Sequence, residues 1–220
     1  MKSLAILSKY LGCYDSWKAI KERYQLKWSN DDSLHVFQNL TNQENSYSSM
    51  LKWLKNTCSQ IPKSHYNILI YCTLTGLRPT EALSSINLIK SDLGNYLNRK
   101  KMILEHIKYP EIFIRRTKKA YISIVNESII ELADETTNSN YNSLRCYFKR
   151  RKIPFNFNYC RKIFATYLRD NRVGQEIIDM LQGRISNSIF IRHYYRPDLE
   201  DYIKIQNHLK SLLNDILIKT

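Results

Sequence analysis

The run from Asn158 to Pro197, NYCRKIFATYLRDNRVGQEIIDMLQGRISNSIFIRHYYRP, constrains this chain most. Ile163, Phe164, Tyr167 and Leu168 fall at the i, i+1, i+4, i+5 spacing of one buried helical face. Arg161 stands two positions before Ile163, where that face begins. A break follows at Asn171 to Gly174. Ile177, Ile178 and Leu181 then predict a second short helix, which Gly183 is placed to end. Arg184 comes next, and a double tyrosine, Tyr194-Tyr195, follows it. Consecutive short elements of this kind commit the C-terminal part of the chain to packed helices.

Two arginines and a tyrosine on such elements point to phosphate chemistry. Arginine presents a planar fork of donors that matches phosphate oxygens. A tyrosine hydroxyl becomes a nucleophile when neighbouring cations stabilise its developing phenolate. Taken singly, each arginine reads more readily as a surface charge and each tyrosine as a core or interface aromatic; it is the constellation that points to phosphate.

Composition narrows the partner. The 220 residues carry 34 Lys+Arg against 20 Asp+Glu, a net charge of +14, which favours a polyanion. Sixteen tyrosines, most of them among Lys, Arg and Asn, fit nucleic acid better than a lipid surface. Five Gly and five Pro argue against an all-β or disordered chain. The five cysteines (Cys13, Cys58, Cys72, Cys146, Cys160) are scattered, odd in number and without a CxxC pair. They predict a reducing interior rather than a zinc site or a disulfide scaffold. No apolar run approaches a membrane span, and MKSLAILSKYLG has no cleavage-like signal.

From the N-terminus, residues 1–28 read as helical. Leu4, Leu7 and Leu11 make one stripe and Trp17, Ile20 and Tyr24 another, parted by Gly12. Residues 29–46 read as a polar linker with one helical turn at Leu34 to Phe37. Domain boundaries are therefore placed at 1–46, a helical segment and linker, and 47–220, the main domain. Residues 47–75 predict two helices, the second beginning at Pro62 and stopping at Thr75-Gly76.

TGLRPTEAL, residues 75–83, is a second informative stretch. Gly76 permits a turn, Pro79 suits the first turn of a new helix, and Glu81 its early positions. Arg78 thus stands at a helix entrance, where backbone amides and a guanidinium converge on an anion. Glu81 there also complements the helix dipole. After a polar segment at Lys90 to Lys101, EIFIRRTKKAYISIV (111–125) predicts two short strands, at Ile112 and Ile114 and at Tyr121 to Ile124. The turn is expected near Lys118 to Ala120. Residues 126–140 give a short helix and a polar loop. Residues 141–153 give a basic helix whose Arg145, Lys149, Arg150, Arg151 and Lys152 suit backbone phosphates. Residues from Asp198 form an amphipathic helix with Ile203, Ile205, Leu209, Leu212, Leu213 and Ile216 as its stripe.

Together these motifs resemble the tyrosine recombinase (phage integrase) family over roughly residues 50–210. The family has an Arg near the start of its catalytic domain, His-x-x-Arg, Leu-Gly-His and then a nucleophilic Tyr. Here TGLR supplies Arg78, Asn158-Tyr159-Cys160-Arg161 stands for the second motif, and Leu181-Gln182-Gly183-Arg184 for the third. GR…RHYYRP is most similar to integrases of archaeal viruses and integrated elements. The resemblance implies a mainly α catalytic domain with a small β-hairpin or sheet. It implies site-specific cleavage and rejoining of double-stranded DNA through a 3′-phosphotyrosyl intermediate, with no cofactor and no metal. It implies Arg78, Arg161 and Arg184 on the phosphate, Tyr194 as nucleophile and Lys118 as general acid. Glu81 helps hold the site, Asn158 gives a hydrogen bond, and Arg116, Lys119, Arg150 and Arg151 support or bind DNA. It further implies a tetramer on attachment sites, coupled through the C-terminal helix, acting on DNA inside the host cell (cytoplasmic).

Alternatives stay open at several points. Lys119 competes with Lys118. Strict family spacing falls on His193, so Tyr195 competes with Tyr194. Asn158 replaces the usual His or Lys, and Arg184 replaces His or Trp. Residues 1–28 are too short for a complete DNA-clamping domain and resemble the tail of one; a catalytic fragment and a short natural protein are both compatible with that. A type IB topoisomerase-like nicking-closing enzyme and a non-catalytic DNA-binding remnant are the rival functions.

Overall fold

A computed structural model describes residues 2–26, 37, 41, 46–137, 139–185, 193, 194 and 196–217. The chain divides into two compact units, Met1–Asn45 and Ser46–Thr220. In the first, α1 (Lys2–Tyr10) and α2 (Tyr14–Arg23) are parted by Gly12, whose φ of +69° ends α1. The expected leucine stripe is there, but Leu4, Leu7 and Leu11 are exposed. The expected linker turn lies outside the described residues, Phe37 excepted.

The second unit is built around one buried helix. α3 (Tyr47–Gln60) is capped by Ser46, whose side chain accepts the Ser49 amide. α4 (Lys63–Thr75) follows, with Asn67 through Thr75 all buried. A helix apolar on every side must be enclosed, and α4 is: α9 (Asn158–Asp170), α7 (Glu127–Asp134), α5 (Pro79–Tyr96), α3 and α11 (Leu199–Leu217) all pack on it. Gly76 ends α4 at φ +65°, and a Cβ there would stand 2.6 Å from the Phe164 ring of α9. Only glycine meets both demands.

The β structure is an antiparallel sheet of order β1 (Leu97–Asn98), β2 (Ile103–Leu104), β3 (Ser123–Ile124). Leu97 faces Leu104, and Ile103 faces Ile124. The expected hairpin over 111–125 is therefore corrected. Pro110 starts a short helix instead, α6 (Pro110–Phe113), as its fixed φ favours. Ile112 is helical, and Ile114 makes only an isolated bridge with Lys119. The tight turn is Arg115 to Lys118, closed by the Arg115 amide on the Lys118 carbonyl at 3.0 Å, not Lys118 to Ala120. β3 pairs instead with β2, just past the stretch read as a polar segment, which holds the end of α5 and then β1.

Beyond the sheet, Asn126 and Asn140 cap α7 and α8 (Tyr141–Arg150) by accepting the amides of Ile129 and Ser143. α9 buries Ile163, Phe164 and Leu168, and α10 (Gln175–Leu181) buries Ile177, Ile178 and Leu181. In α11 the stripe begins at Tyr202 and Ile205; Ile203, expected within it, is exposed. A chain of buried hydroxyls crosses the core from Tyr71 of α4 to Ser85 of α5 (2.6 Å), Tyr96 (2.8 Å) and His106 Nδ1 (2.6 Å). His106 Nε2 then meets Ser123 of β3 at 2.8 Å. Burial pushes the His106 pKa down to about 3, so it is held neutral.

Candidate active site

Arg78 takes the N-cap position of α5, directly before Pro79. An arginine has no acceptor to offer the first amides, so only half of a capping box can form. That half comes from Glu81, whose Oε2 accepts the Arg78 backbone N–H at 3.1 Å. Oε1 accepts the Arg78 guanidinium Nη1 at 2.8 Å and the Arg115 Nη2 at 3.0 Å. Glu81 is 1% exposed. A carboxylate buried this far needs such donors, because desolvation of an unpaired charge is costly.

Arg161 lies on the second turn of α9. Its Nη1 donates to the Gly76 carbonyl at 2.6 Å and its Nη2 to the Gln182 carbonyl at 3.0 Å. The Gln182 side-chain amide returns a bond to the Arg161 carbonyl at 2.9 Å. Gly76 precedes Arg78 by two residues, and Gln182 precedes Arg184 by two. One guanidinium therefore clips together the two loops that carry the other two arginines. Burial pushes the Arg161 pKa down to about 10; Arg78 and Arg184 add repulsion that Glu81 partly offsets. Arg78 and Arg184 thus both act on the Arg161 charge, and Glu81 is the carboxylate that offsets them there.

Arg184 leaves α10 through Gly183 and stays mostly exposed. Its amide donates to the Asp179 carbonyl at 2.7 Å, and its guanidinium lies 3.6 Å from the Asp179 carboxylate. Gly183 has φ +74°, and a Cβ there would fall 1.7 Å from the Lys119 carbonyl oxygen. Arg78 Nη1 donates to that same oxygen at 3.3 Å. The backbone of the basic turn, the loop before Arg184 and the Arg78 side chain are therefore in direct contact.

Of the residues expected from the sequence, Arg78, Glu81, Arg161, Arg184 and the Lys119 backbone are brought together. The Lys118, Lys119 and Arg116 side chains are exposed on the adjoining turn. Asn158 is exposed at the start of α9, one turn before Arg161. Arg150 and Arg151 are exposed at the end of α8, Arg151 over the Tyr147 ring at 5.8 Å. Tyr194 is 73% exposed, with its ring 6.5 Å from that of His193, and no hydrogen bond joins it to an arginine among the described residues. Tyr195 lies outside the described residues. Arg115, Gln182 and the Gly76 carbonyl are site members that the motifs did not reveal. Among the described residues, no group of three or more His, Cys, Asp or Glu could hold a metal ion, and no helix is long and apolar enough to cross a membrane.

A mainly helical domain with a small three-stranded antiparallel sheet, bearing this arginine cluster, has the character of an integrase catalytic domain. The chain belongs to the archaeal phage integrase family, whose model matches residues 45–199. Searches of curated proteins and of solved structures each returned no match. Membership makes DNA the partner and DNA integration or recombination the general activity.

Proposed function

We propose that the protein is a tyrosine-type DNA strand transferase whose catalytic domain spans 47–220 and whose residues 1–46, a helical segment and linker, belong to its DNA-embracing part. The observation that carries this reading is the convergence of Arg78, Arg161 and Arg184 from three separate helix ends, with Arg161 clipped to both other loops. Mutually repelling guanidiniums in one place are stabilised by a shared phosphate dianion-like transition state more than by the ground state. That difference is what accelerates a reaction.

In the proposed step the Tyr194 oxygen bonds to the scissile phosphorus, and its proton passes to solvent. The bond from phosphorus to the 5′ oxygen breaks, and Lys118 gives that oxygen a proton. The product is a 3′-phosphotyrosyl link with a free 5′ hydroxyl, and a 5′ hydroxyl from another strand reverses it. Glu81 holds Arg78, and Asn158 gives a further hydrogen bond. Arg116, Lys119, Arg150 and Arg151 meet backbone phosphates, which position DNA without reading its sequence. The arginines meet the charge that a metal ion would otherwise meet. Tetramer formation on paired attachment sites completes the reading.

The test is a nicked suicide substrate bearing the attachment sequence, resolved on a denaturing gel. A covalent protein–DNA band is expected from wild type and Tyr195→Phe and is lost in Tyr194→Phe. A band that survives Tyr194→Phe removes Tyr194 from the mechanism. Relaxation of supercoiled DNA without site preference would replace recombination by a nicking-closing activity.

A further inference from the structure

Building on the strand-transfer reading, we propose that Arg115 is a positioning residue that latches the basic turn, and with it the Lys118 ammonium, onto the Arg78 side of the site. The anchor is the buried Glu81 carboxylate. Its Oε1 takes Arg115 Nη2 at 3.0 Å beside Arg78 Nη1 at 2.8 Å. One oxygen therefore joins the helix entrance to a turn 34 residues further along the chain.

The turn needs an anchor of this kind. Its own pairing is slight: the Arg115 amide on the Lys118 carbonyl, the Ile114–Lys119 bridge and the Ala120 amide on the Phe113 carbonyl at 3.0 Å. β3 beyond it pairs elsewhere, with β2. A hairpin this small does not hold its shape alone in water. Two further contacts secure its outgoing arm, Arg78 and Gly183 against the Lys119 carbonyl. On the incoming arm, Arg115 supplies the ion pair. Arg116, Thr117, Lys118 and Lys119 all point to solvent. Glu81 already has two donors from Arg78, its amide and its guanidinium. The third donor thus adds what the first two do not, a tie to the turn.

The experiment compares two cleavage substrates, one ordinary and one with sulfur replacing the bridging 5′ oxygen of the scissile phosphate. In both, the Tyr194 oxygen bonds to phosphorus. In the second the P–S bond breaks and sulfur leaves with the electron pair as a thiolate. A thiol of pKa about 8.5 leaves without a proton donor, whereas an alkoxide does not. Lys118→Ala is expected to lose about 10²–10⁴-fold on oxygen and to recover on sulfur. Arg115→Gln is expected to lose on the order of 100-fold on oxygen, as a misplacement of about 1 Å does, and to recover on sulfur in the same way. Equal slowing of Arg115→Gln on both substrates would overturn the proposal, because a purely structural or DNA-binding role has that signature.

Hydrogen exchange reads the latch without cleavage. Amides of 115–120 should exchange faster in Arg115→Gln than in wild type. Arg116→Gln, which removes the same charge from the same turn, should leave them protected. Unchanged protection in Arg115→Gln overturns the latch. A wild-type protein that cleaves neither substrate would instead overturn the strand-transfer reading, and with it the catalytic half of the proposal.

Discussion

Arg161 and Arg184 are the same residue type with the same proposed duty, yet their settings are opposite. Arg161 is wedged between backbone carbonyls of two loops, and its charge is disfavoured by burial and by its neighbours. Arg184 projects into solvent, with one loose ion pair to Asp179. The site thus has an inner half that is part of the frame and an outer half, with Lys118 and Tyr194, that the frame presents. Inner groups should fail in folding and chemistry together, and outer groups in chemistry alone.

The largest expected effect is therefore Arg161→Ala. It leaves the Gly76 and Gln182 carbonyls without their donors and parts the two loops. A loss of roughly 3 kcal/mol of stability is expected in urea unfolding, together with all cleavage. Arg161→Lys should not restore either, since a single ammonium cannot span both carbonyls as the fork does. Retained stability in Arg161→Ala would erase the distinction between the two halves.

Acid should loosen the frame and leave the outer cations charged. His106 is neutral in the folded protein, with its pKa pushed from 6.5 to about 3. The unfolded chain takes up that proton below about pH 6.5, so it binds more protons than the folded state between the two values. Stability then falls as pH falls, by about 1.4 kcal/mol per pH unit from this group. Urea midpoints at pH 7 and pH 5 should show it, and His106→Gln should lack that part of the slope. A wild type as stable at pH 5 as His106→Gln predicts would mean that the histidine accepts a proton in place.

Arg184→Ala should cost the fold least, under about 0.5 kcal/mol, because exposed pairs contribute little. Cleavage should still drop by about 10²–10³-fold, as when one transition-state donor is removed. Sulfate gives a finer reading of the same contrast. It should raise the melting temperature of wild type by relieving repulsion among the arginines, and raise it less in Arg184→Ala. Thermal scans with and without sulfate check this.

The sequence announced the helices where one face alone is buried, as in α9 and α11, because periodicity records a boundary between core and water. α4 has no such boundary, and its run from Asn67 to Thr75 was recognisable only as apolar. Strands of two residues leave no alternation to read, so β1 and β2 went unseen and the 111–125 hairpin was overdrawn. Arg78 and Arg184 were legible because local turn chemistry at Gly76, Pro79 and Gly183 marks them. Arg115 and Gln182 were not. Their partners are a carboxylate and a carbonyl far along the chain, and a carbonyl has no letter in the sequence.

The Arg161 clip also changes what the spacing between the motifs means. Arg78 and Arg184 are registered to each other through two carbonyls, each two residues away along its own loop. The lengths of chain joining the motifs, such as that between α7 and α8, do not enter this registration. The information is held in the short intervals, Gly76 to Arg78 and Gln182 to Arg184. One residue inserted in either would scramble the register, whereas several inserted between α7 and α8 would leave it intact.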